Sequence, residues 1–150
     1  ECLVYMQVTA HIPESYISSA EQRMDLYRRI ALIRTEADAD DVTDELIDRF
    51  GDPPAPVNAL VQVALLRGEA GRAGITDIAQ KAGILRFFLT DFDMARVSEL
   101  YARPEYKGRV RVEAGQKPCL ALRLPSKARV LDEGRKFVAA WASTIPAEVI

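Results

Sequence analysis

Glu45-Leu46-Ile47-Asp48-Arg49-Phe50-Gly51, followed at once by Asp52-Pro53-Pro54, is the stretch of sequence that decides the fold of this chain. At 100° per residue its apolar side chains lie on one side of a helix and its charged side chains on the other. Gly51 suits the left-handed turn that ends a helix, and the prolines prevent continuation. The stretch predicts a short helix that buries one side and offers the other to a partner. The apolar set is Leu46, Ile47 and Phe50, and the charged set is Glu45, Asp48 and Arg49.

Composition and charge limit the class of protein. A chain of 150 residues has the size of one domain, or of two small lobes that share a core. Its hydrophobic content of 49% and charged content of 28% are those of a globular protein. The net charge of −2 argues against a broad nucleic-acid footprint. No apolar run reaches the roughly 18 residues that a membrane span needs, so we expect no membrane partner.

The periodicity around this stretch predicts three helices after an N-terminal strand. Residues 2–10 alternate like a strand, and Ser19 can cap a helix that runs to about Arg34 with Met24, Tyr27, Ile30 and Ala31 as its stripe. An acidic segment, Glu36 to Asp41, is expected to separate this helix from the second, over about 40–50. A third helix follows the prolines and ends in a loosened, glycine-rich segment from Gly68 to Gly74.

The second half predicts two strand–strand–helix units. The expected elements are strands Ile75–Lys81 and Ile84–Leu89, a helix from Met94 that stops before Pro104, strands Arg109–Val112 and Cys119–Leu124, and a final helix capped by Ser126 with Ile145 facing inward. The fold class is therefore α+β: an N-terminal strand and a three-helix lobe (helical part about 11–74), then two strand–strand–helix units (mixed part about 75–146). Because the chain opens Glu1-Cys2-Leu3 without Met, we interpret residues 1–150 as a single domain cut from a larger multidomain protein.

Residues typical of catalysis are scarce. A lone histidine, His11, and two distant cysteines, Cys2 and Cys119, do not make a zinc site, and there is no phosphate-binding loop of the P-loop type. The acidic side chains before and within the second helix leave open a small enzyme with an acidic site. A solvated helix N-terminus explains them more simply.

One basic segment leaves open a second alternative. Arg103–Arg111 carries four cations beside Tyr101 and Tyr106, a combination that can neutralise and stack on single-stranded nucleic acid. Glu105, Glu113 and the negative total oppose this reading, and a charged edge strand is the simpler interpretation.

Three blocks carry a resemblance to a known family. His11–Ile17, Arg23–Ile30 and Glu45–Pro54 resemble, in order and spacing, the C-terminal domain of bacterial transcription-repair coupling factor. The resemblance is strong over about residues 10–76 and weak but collinear beyond. Gly68 and Gly71 depart from it, because relatives usually carry longer side chains there.

The resemblance implies a function for this domain that lies outside catalysis. Members of that family are ATP- and Mg-dependent translocases on double-stranded DNA that remove stalled RNA polymerase and recruit excision-repair proteins. The C-terminal domain itself needs no cofactor. It docks on an N-terminal excinuclease-B-like module and masks the surface that binds the excinuclease-A protein. Carried over by position, Glu45, Asp48 and Arg49 would lie at that autoinhibitory interface. The implied localisation is the cytoplasm, at the nucleoid through the parent protein.

Overall fold

The computed structural model describes residues 2–144 and shows, over that range, five α-helices and one five-stranded sheet. The elements follow one another in the predicted order, and the α+β class is confirmed. The chain forms two compact units. One is Val8–Gly68, here called the helical unit; the other, the sheet unit, combines Glu1–Gln7 with Glu69–Ile150. The predicted boundary near Gly74 marks the change from helix to strand, whereas the compact units divide at Gly68, inside a helix.

The helical unit contains α1 (Ala20–Ala31), α2 (Glu36–Phe50) and most of α3 (Ala55–Arg72). Ser19 caps α1 as predicted, since its hydroxyl accepts a hydrogen bond from the backbone N–H of Gln22 at 3.2 Å. Burial of apolar side chains from all three helices stabilises the unit. Its core is formed by Ile12, Ile17, Leu26, Ile30, Ile33, Ala39, Val42, Leu46, Val57, Val61, Ala64 and Leu65.

Two details of these helices differ from the prediction. α2 begins at Glu36 rather than near residue 40, because Thr35 and Asp38 form a reciprocal capping box. The acidic segment is thus the first turns of α2, where the helix dipole favours carboxylates. In α1 the buried residues are Leu26 and Ile30, while Met24 is 53% exposed. The predicted stripe was therefore wrong at Met24 and at Ala31, which is exposed as well.

The glycine-rich segment is helical as far as Arg72, and Ala73 and Gly74 form a turn after it. Gly68 lies inside α3 against the backbone of Arg34, where a Cβ would come 2.8 Å from the carbonyl oxygen and 2.9 Å from Cα. Gly68 is therefore required for a close approach between two backbone segments. Gly71, by contrast, has only the Cys2 backbone nitrogen near its Cβ position, at 3.9 Å.

The sheet unit is a mixed sheet with helices packed on one face. Its strands lie in the order β1-β2-β3-β5-β4, with β1 parallel to β2 and the other pairs antiparallel. Phe87 on β3 stacks on Phe137 of α5 with ring centroids 4.3 Å apart, which centres the core there. The elements are β1 (Leu3–Tyr5), β2 (Ile75–Lys81), β3 (Ile84–Leu89), α4 (Met94–Tyr101), β4 (Val110–Glu113), β5 (Cys119–Arg123) and α5 (Val130–Ser143).

The ends of these elements test the sequence prediction. β2 and β3 have the predicted bounds, because Ala82 (φ 51°) and Gly83 (φ 77°) form the tight turn between them. β1 is shorter than the predicted 2–10 segment. Ser126 does not cap α5, which begins after Arg129, since Pro125 to Ala128 form a turn of their own. The predicted inward position of Ile145 lies outside the described residues.

Candidate partner-binding face

The three predicted interface residues lie on α2 of the helical unit, near its C-terminal end. The helix ends as predicted, with Gly51 at φ 85° and its N–H donating to the carbonyl of Ile47 at 3.0 Å. The hydroxyl of Tyr16 donates to the carbonyl of Gly51 at 2.7 Å, and its ring packs against Phe50 at 5.9 Å. Burial, and then the charge of Asp52, raise the pKa of Tyr16, so its hydroxyl keeps the proton that it donates. This hydrogen bond fixes the end of α2.

Glu45 and Arg49 belong to an ion cluster inside the helical unit. One carboxylate oxygen of Glu45 accepts hydrogen bonds from Arg29 of α1 and from Arg49, the latter at 2.8 Å. Hydrogen bonding to Arg29, and then to Arg49, lowers the pKa of Glu45, so the carboxylate is ionised at neutral pH. The Arg49 guanidinium also lies 4.9 Å from the centroid of the Phe50 ring. Glu45 is therefore a link between α1 and α2 as well as a surface charge.

Asp48 differs from its two neighbours. It is exposed, and no hydrogen bond or ion pair joins its carboxylate to another of the residues within 2–144. One turn towards the N-terminus, Asp44 is exposed as well, and so are Asp40 and Asp41 beyond it. The outer face of α2, defined here as Asp40, Asp41, Asp44, Ile47 and Asp48, is thus a line of carboxylates with one aliphatic side chain.

Ile47 was predicted to be buried and is 43% exposed. The buried residues of α2 are Ala39, Val42 and Leu46, a stripe that repeats every three or four residues and passes to one side of Ile47. The segment 45–51 alone does not reveal this, because the direction of the stripe is set by the first half of the helix. An exposed isoleucine beside Asp48 adds an apolar contact to the charged face.

A second exposed apolar side chain follows α1. Leu32 is 71% exposed and lines a shallow hollow with Arg29, Ile33, Asp38, Asp41 and Val42. Sequence periodicity did not identify it, because the predicted helix ran to about Arg34, whereas α1 ends at Ala31 and Leu32 follows it. The helical unit therefore presents carboxylates on α2 together with two exposed aliphatic side chains, Leu32 after α1 and Ile47 on α2.

The basic segment that suggested a nucleic-acid-binding module is partly buried in the structure. Of the predicted basic segment, Arg109 donates to the Glu133 carboxylate at 2.6 Å, and Arg103 hydrogen-bonds the Ser143 hydroxyl. Tyr106 is only 5% exposed and packs edge-on against Phe137 at 5.3 Å, so it does not present a face for stacking. The segment is thus partly used in packing the sheet unit.

No arrangement of three or more His, Cys, Asp or Glu side chains able to hold a metal ion occurs within residues 2–144. The acidic side chains of α2 lie along an exposed helix instead of converging. His11 is exposed, and both cysteines are buried without a disulfide between them. Among the helices of the described part of the chain, none has the length and apolar character needed to cross a membrane.

Comparison with known proteins gives consistent matches. The profile of the TRCF domain family matches residues 6–100. A transcription-repair-coupling factor of Mycobacterium bovis is 36% identical over 106 residues, which are 68% of this chain and 9% of that protein. One of Bacillus subtilis is 27% identical over 147 residues, which are 97% of this chain and 12% of that protein. The chain thus spans about a tenth of the length of these curated relatives.

A solved structure has the same fold. It is the crystal structure of the C-terminal domain of a transcription-repair coupling factor, with a TM-score of 0.80 at 18% sequence identity. The match covers 95% of this chain and 90% of the solved chain.

Proposed function

The chain belongs to the TRCF domain family, as its three sequence blocks predicted, and on that premise we propose that it is a non-catalytic regulatory domain of a transcription-repair coupling factor. The domain docks through the outer face of α2 on an N-terminal excinuclease-B-like module of the same protein. Docking masks the surface that binds the excinuclease-A protein. The parent protein is an ATP- and Mg-dependent translocase on double-stranded DNA that acts on stalled RNA polymerase, in the cytoplasm and at the nucleoid.

The observation that carries the proposal is the outer face of α2. Four exposed carboxylates and the exposed Ile47 lie on a helix that is fixed at both ends, by Thr35 at the start and by Tyr16 at the end. A rigid, charged helix face presents its side chains in a fixed geometry to a basic partner surface. Ile47 and Asp48 therefore lie exposed side by side and are both available to a partner.

The three interface residues have unequal roles in this proposal. Asp48 meets the partner directly, since its carboxylate has no bonding partner among the described residues of its own chain. Arg49 is held by Glu45 and Phe50, so its guanidinium is oriented before docking and loses less freedom on binding. Glu45 holds Arg29 and Arg49 in place and therefore acts through them.

The small free energy of each ion pair is consistent with a contact between the two modules that can be released. An exposed ion pair contributes about 0.2–1 kcal/mol, so each pair alone is weak and the affinity is the sum of several pairs and the apolar contact of Ile47. A change of conformation in the parent protein then has to supply only a small differential free energy to release the domain.

The test is binding of the 150-residue chain to the separately purified N-terminal module, measured by titration calorimetry. Asp48→Ala with Arg49→Ala should weaken binding about tenfold or more, equivalent to about 1.4 kcal/mol. The matched control is Asp25→Ala with Arg28→Ala, which removes the same two charges from exposed positions on α1 and should leave binding unchanged. No binding by the unmodified chain, or equal loss in both variants, would refute the proposal.

A further inference from the structure

The net charge of −2 conceals an uneven distribution between the two units. Of the 20 lysines and arginines, 6 lie in Val8–Gly68 and 14 lie in Glu1–Gln7 with Glu69–Ile150, while the 22 carboxylates divide into 11 and 11. The helical unit is therefore at −5 and the sheet unit at +3. The argument from total charge against an anionic partner does not hold for the sheet unit.

The sheet has two chemically different faces. Alternation along the strands sends Ile78, Phe87 and Leu120 to the face that packs on α5. The opposite face is here called the open face. The register of the strands arranges its residues in three rows that run across the strands. The first row is Tyr5, Ala79, Arg86, Ala121 and Arg111; the second is Lys81, Ile84 and Arg123; the third is Leu3, Asp77, Phe88, Cys119 and Glu113.

Cations dominate the open face. Glu113 accepts hydrogen bonds from Arg86 at 2.7 and 3.3 Å and from Arg111 at 3.0 Å, and so holds two guanidinium groups side by side. Arg111 remains 66% exposed and Lys117, at 3.8 Å from Asp77, 74% exposed. Lys81 and Arg123 are exposed, and their side chains bond to no other described residue. The open face therefore carries five cations and only two carboxylates.

The first row alternates large and small side chains. Tyr5, Arg86 and Arg111 stand on alternate strands, with Ala79 and Ala121 between them. Because neighbouring strands are about 4.8 Å apart, the backbone positions of these residues are spaced about 10 Å apart along the row, while the guanidinium groups of Arg86 and Arg111 converge on Glu113. A hollow of about 140 Å³ is lined by Ile84, Ala121, Arg109, Arg111 and Arg123.

Aromatic side chains complete the open face. Tyr5 is 60% exposed at one edge of the sheet, and Phe88 is half-buried on the central strand β3. An acidic protein segment would need only the cations of this face and would not account for the exposed aromatic ring. An exposed tyrosine ring at the edge of a cationic sheet matches the way in which single-stranded nucleic acids are bound, with bases stacked and phosphates neutralised.

We propose that the open face of the sheet is a binding site for single-stranded nucleic acid. Tyr5, exposed at the edge of the sheet, stacks on a base, and the Arg111 guanidinium, which Glu113 holds beside that of Arg86, contacts the strand next to it. Lys81, Lys117 and Arg123 contact the phosphates along the face. This site differs from the Arg103–Arg111 segment predicted from the sequence, since Arg103 and Tyr106 are not part of it.

The experiment is fluorescence anisotropy of the 150-residue chain with labelled oligo-dT and oligo-U, repeated with a duplex of equal length and with polyglutamate. The unmodified chain should prefer the single strands, and affinity should fall between about 50 and 200 mM salt as released counterions predict. Arg111→Glu with Arg123→Glu should reduce affinity at least tenfold. Tyr5→Ala should reduce it about fivefold or more through the lost stacking.

A matched control isolates the open face from total charge. Arg28→Glu with Arg129→Glu makes the same change in net charge at exposed positions on α1 and before α5, and should leave affinity within about twofold after allowing for long-range charge. Absence of binding at low salt, or equal losses in both double variants, would overturn the proposal. Tighter binding to polyglutamate with no effect of Tyr5→Ala would also overturn it, and would identify the face as a docking site for an acidic protein.

Discussion

Arg29 of α1 and Glu45 of α2 form an ion pair that joins two helices of the same unit. The relationship changes how the charged side of α2 is interpreted. Glu45 is already bonded within its own chain, whereas Asp48, one turn further along, is not. A substitution at Glu45 therefore reports on folding and docking together, and one at Asp48 reports on docking alone.

The first prediction separates these two roles. Glu45→Ala should lower the free energy of unfolding by about 1 kcal/mol, because both of its partially exposed ion pairs are lost, whereas Asp48→Ala should change it by less than about 0.5 kcal/mol. Urea denaturation at neutral pH measures both. Equal losses in the two variants would contradict the assignment of Glu45 as a link between helices.

The second prediction concerns the two glycines of α3. Gly68→Ala should destabilise the protein by about 1–3 kcal/mol, because its Cβ meets the backbone of Arg34, which cannot rotate away. Gly71→Ala should instead be neutral or stabilise by up to about 1 kcal/mol, since alanine is the better helix former and the space is open. Thermal unfolding of both variants compares them directly. A tolerated Gly68→Ala would show that the helix does not lie that close to Arg34.

The third prediction concerns Glu113, one of the two carboxylates of the open face. The pKa of Glu113 is lowered from 4.5 to about 2, and hydrogen bonds from Arg86 are the largest cause. A lowered folded-state pKa means that the stabilisation is complete above about 4.5 and is lost as pH falls towards about 2. The stability difference between the unmodified chain and Glu113→Gln should therefore shrink as pH is lowered through that range. A difference that is constant with pH would contradict it.

The same environment affects the neighbouring thiol. Burial, and then the adjacent Glu113 carboxylate, raise the pKa of Cys119 to about 11. The thiol should therefore react with an alkylating reagent only after unfolding, at neutral or mildly alkaline pH. Mass spectrometry of the folded and urea-unfolded chain after brief alkylation gives the comparison. Rapid labelling of Cys119 in the folded chain would contradict its burial.

Much of the fold was predictable where local chemistry determines it. The bounds of β2 and β3 follow from a two-residue turn at Ala82-Gly83, and the end of α2 follows from Gly51 and the prolines after it. The start of α2 at Glu36 was missed because Asp38, which caps the helix together with Thr35, belongs to an acidic segment that was predicted to separate two helices. The prediction that Ser126 caps α5 was wrong because Pro125 to Ala128 form a turn, and the helix begins only after Arg129.

The candidate surfaces were less predictable, because they depend on which elements pack together. Periodicity places Leu46 in the core, but the exposure of Ile47 depends on the direction from which α1 and α3 meet α2. The open face joins Tyr5, Arg86 and Arg111 from positions far apart in the chain, through a register that no local pattern encodes. The total charge likewise averages two units of opposite sign and describes neither of them.

The central claim is that the outer face of α2 docks on another module of the parent protein, and site-specific photo-crosslinking tests it most directly. Asp48 is replaced by the photoreactive residue p-benzoylphenylalanine in the full-length protein, with the exposed Glu21 of α1 replaced in a control, and crosslinked peptides are identified by mass spectrometry. We predict that position 48 crosslinks to the N-terminal excinuclease-B-like module and that position 21 does not. Crosslinks from position 48 to other parts of the protein only, or none at all, would contradict the claim.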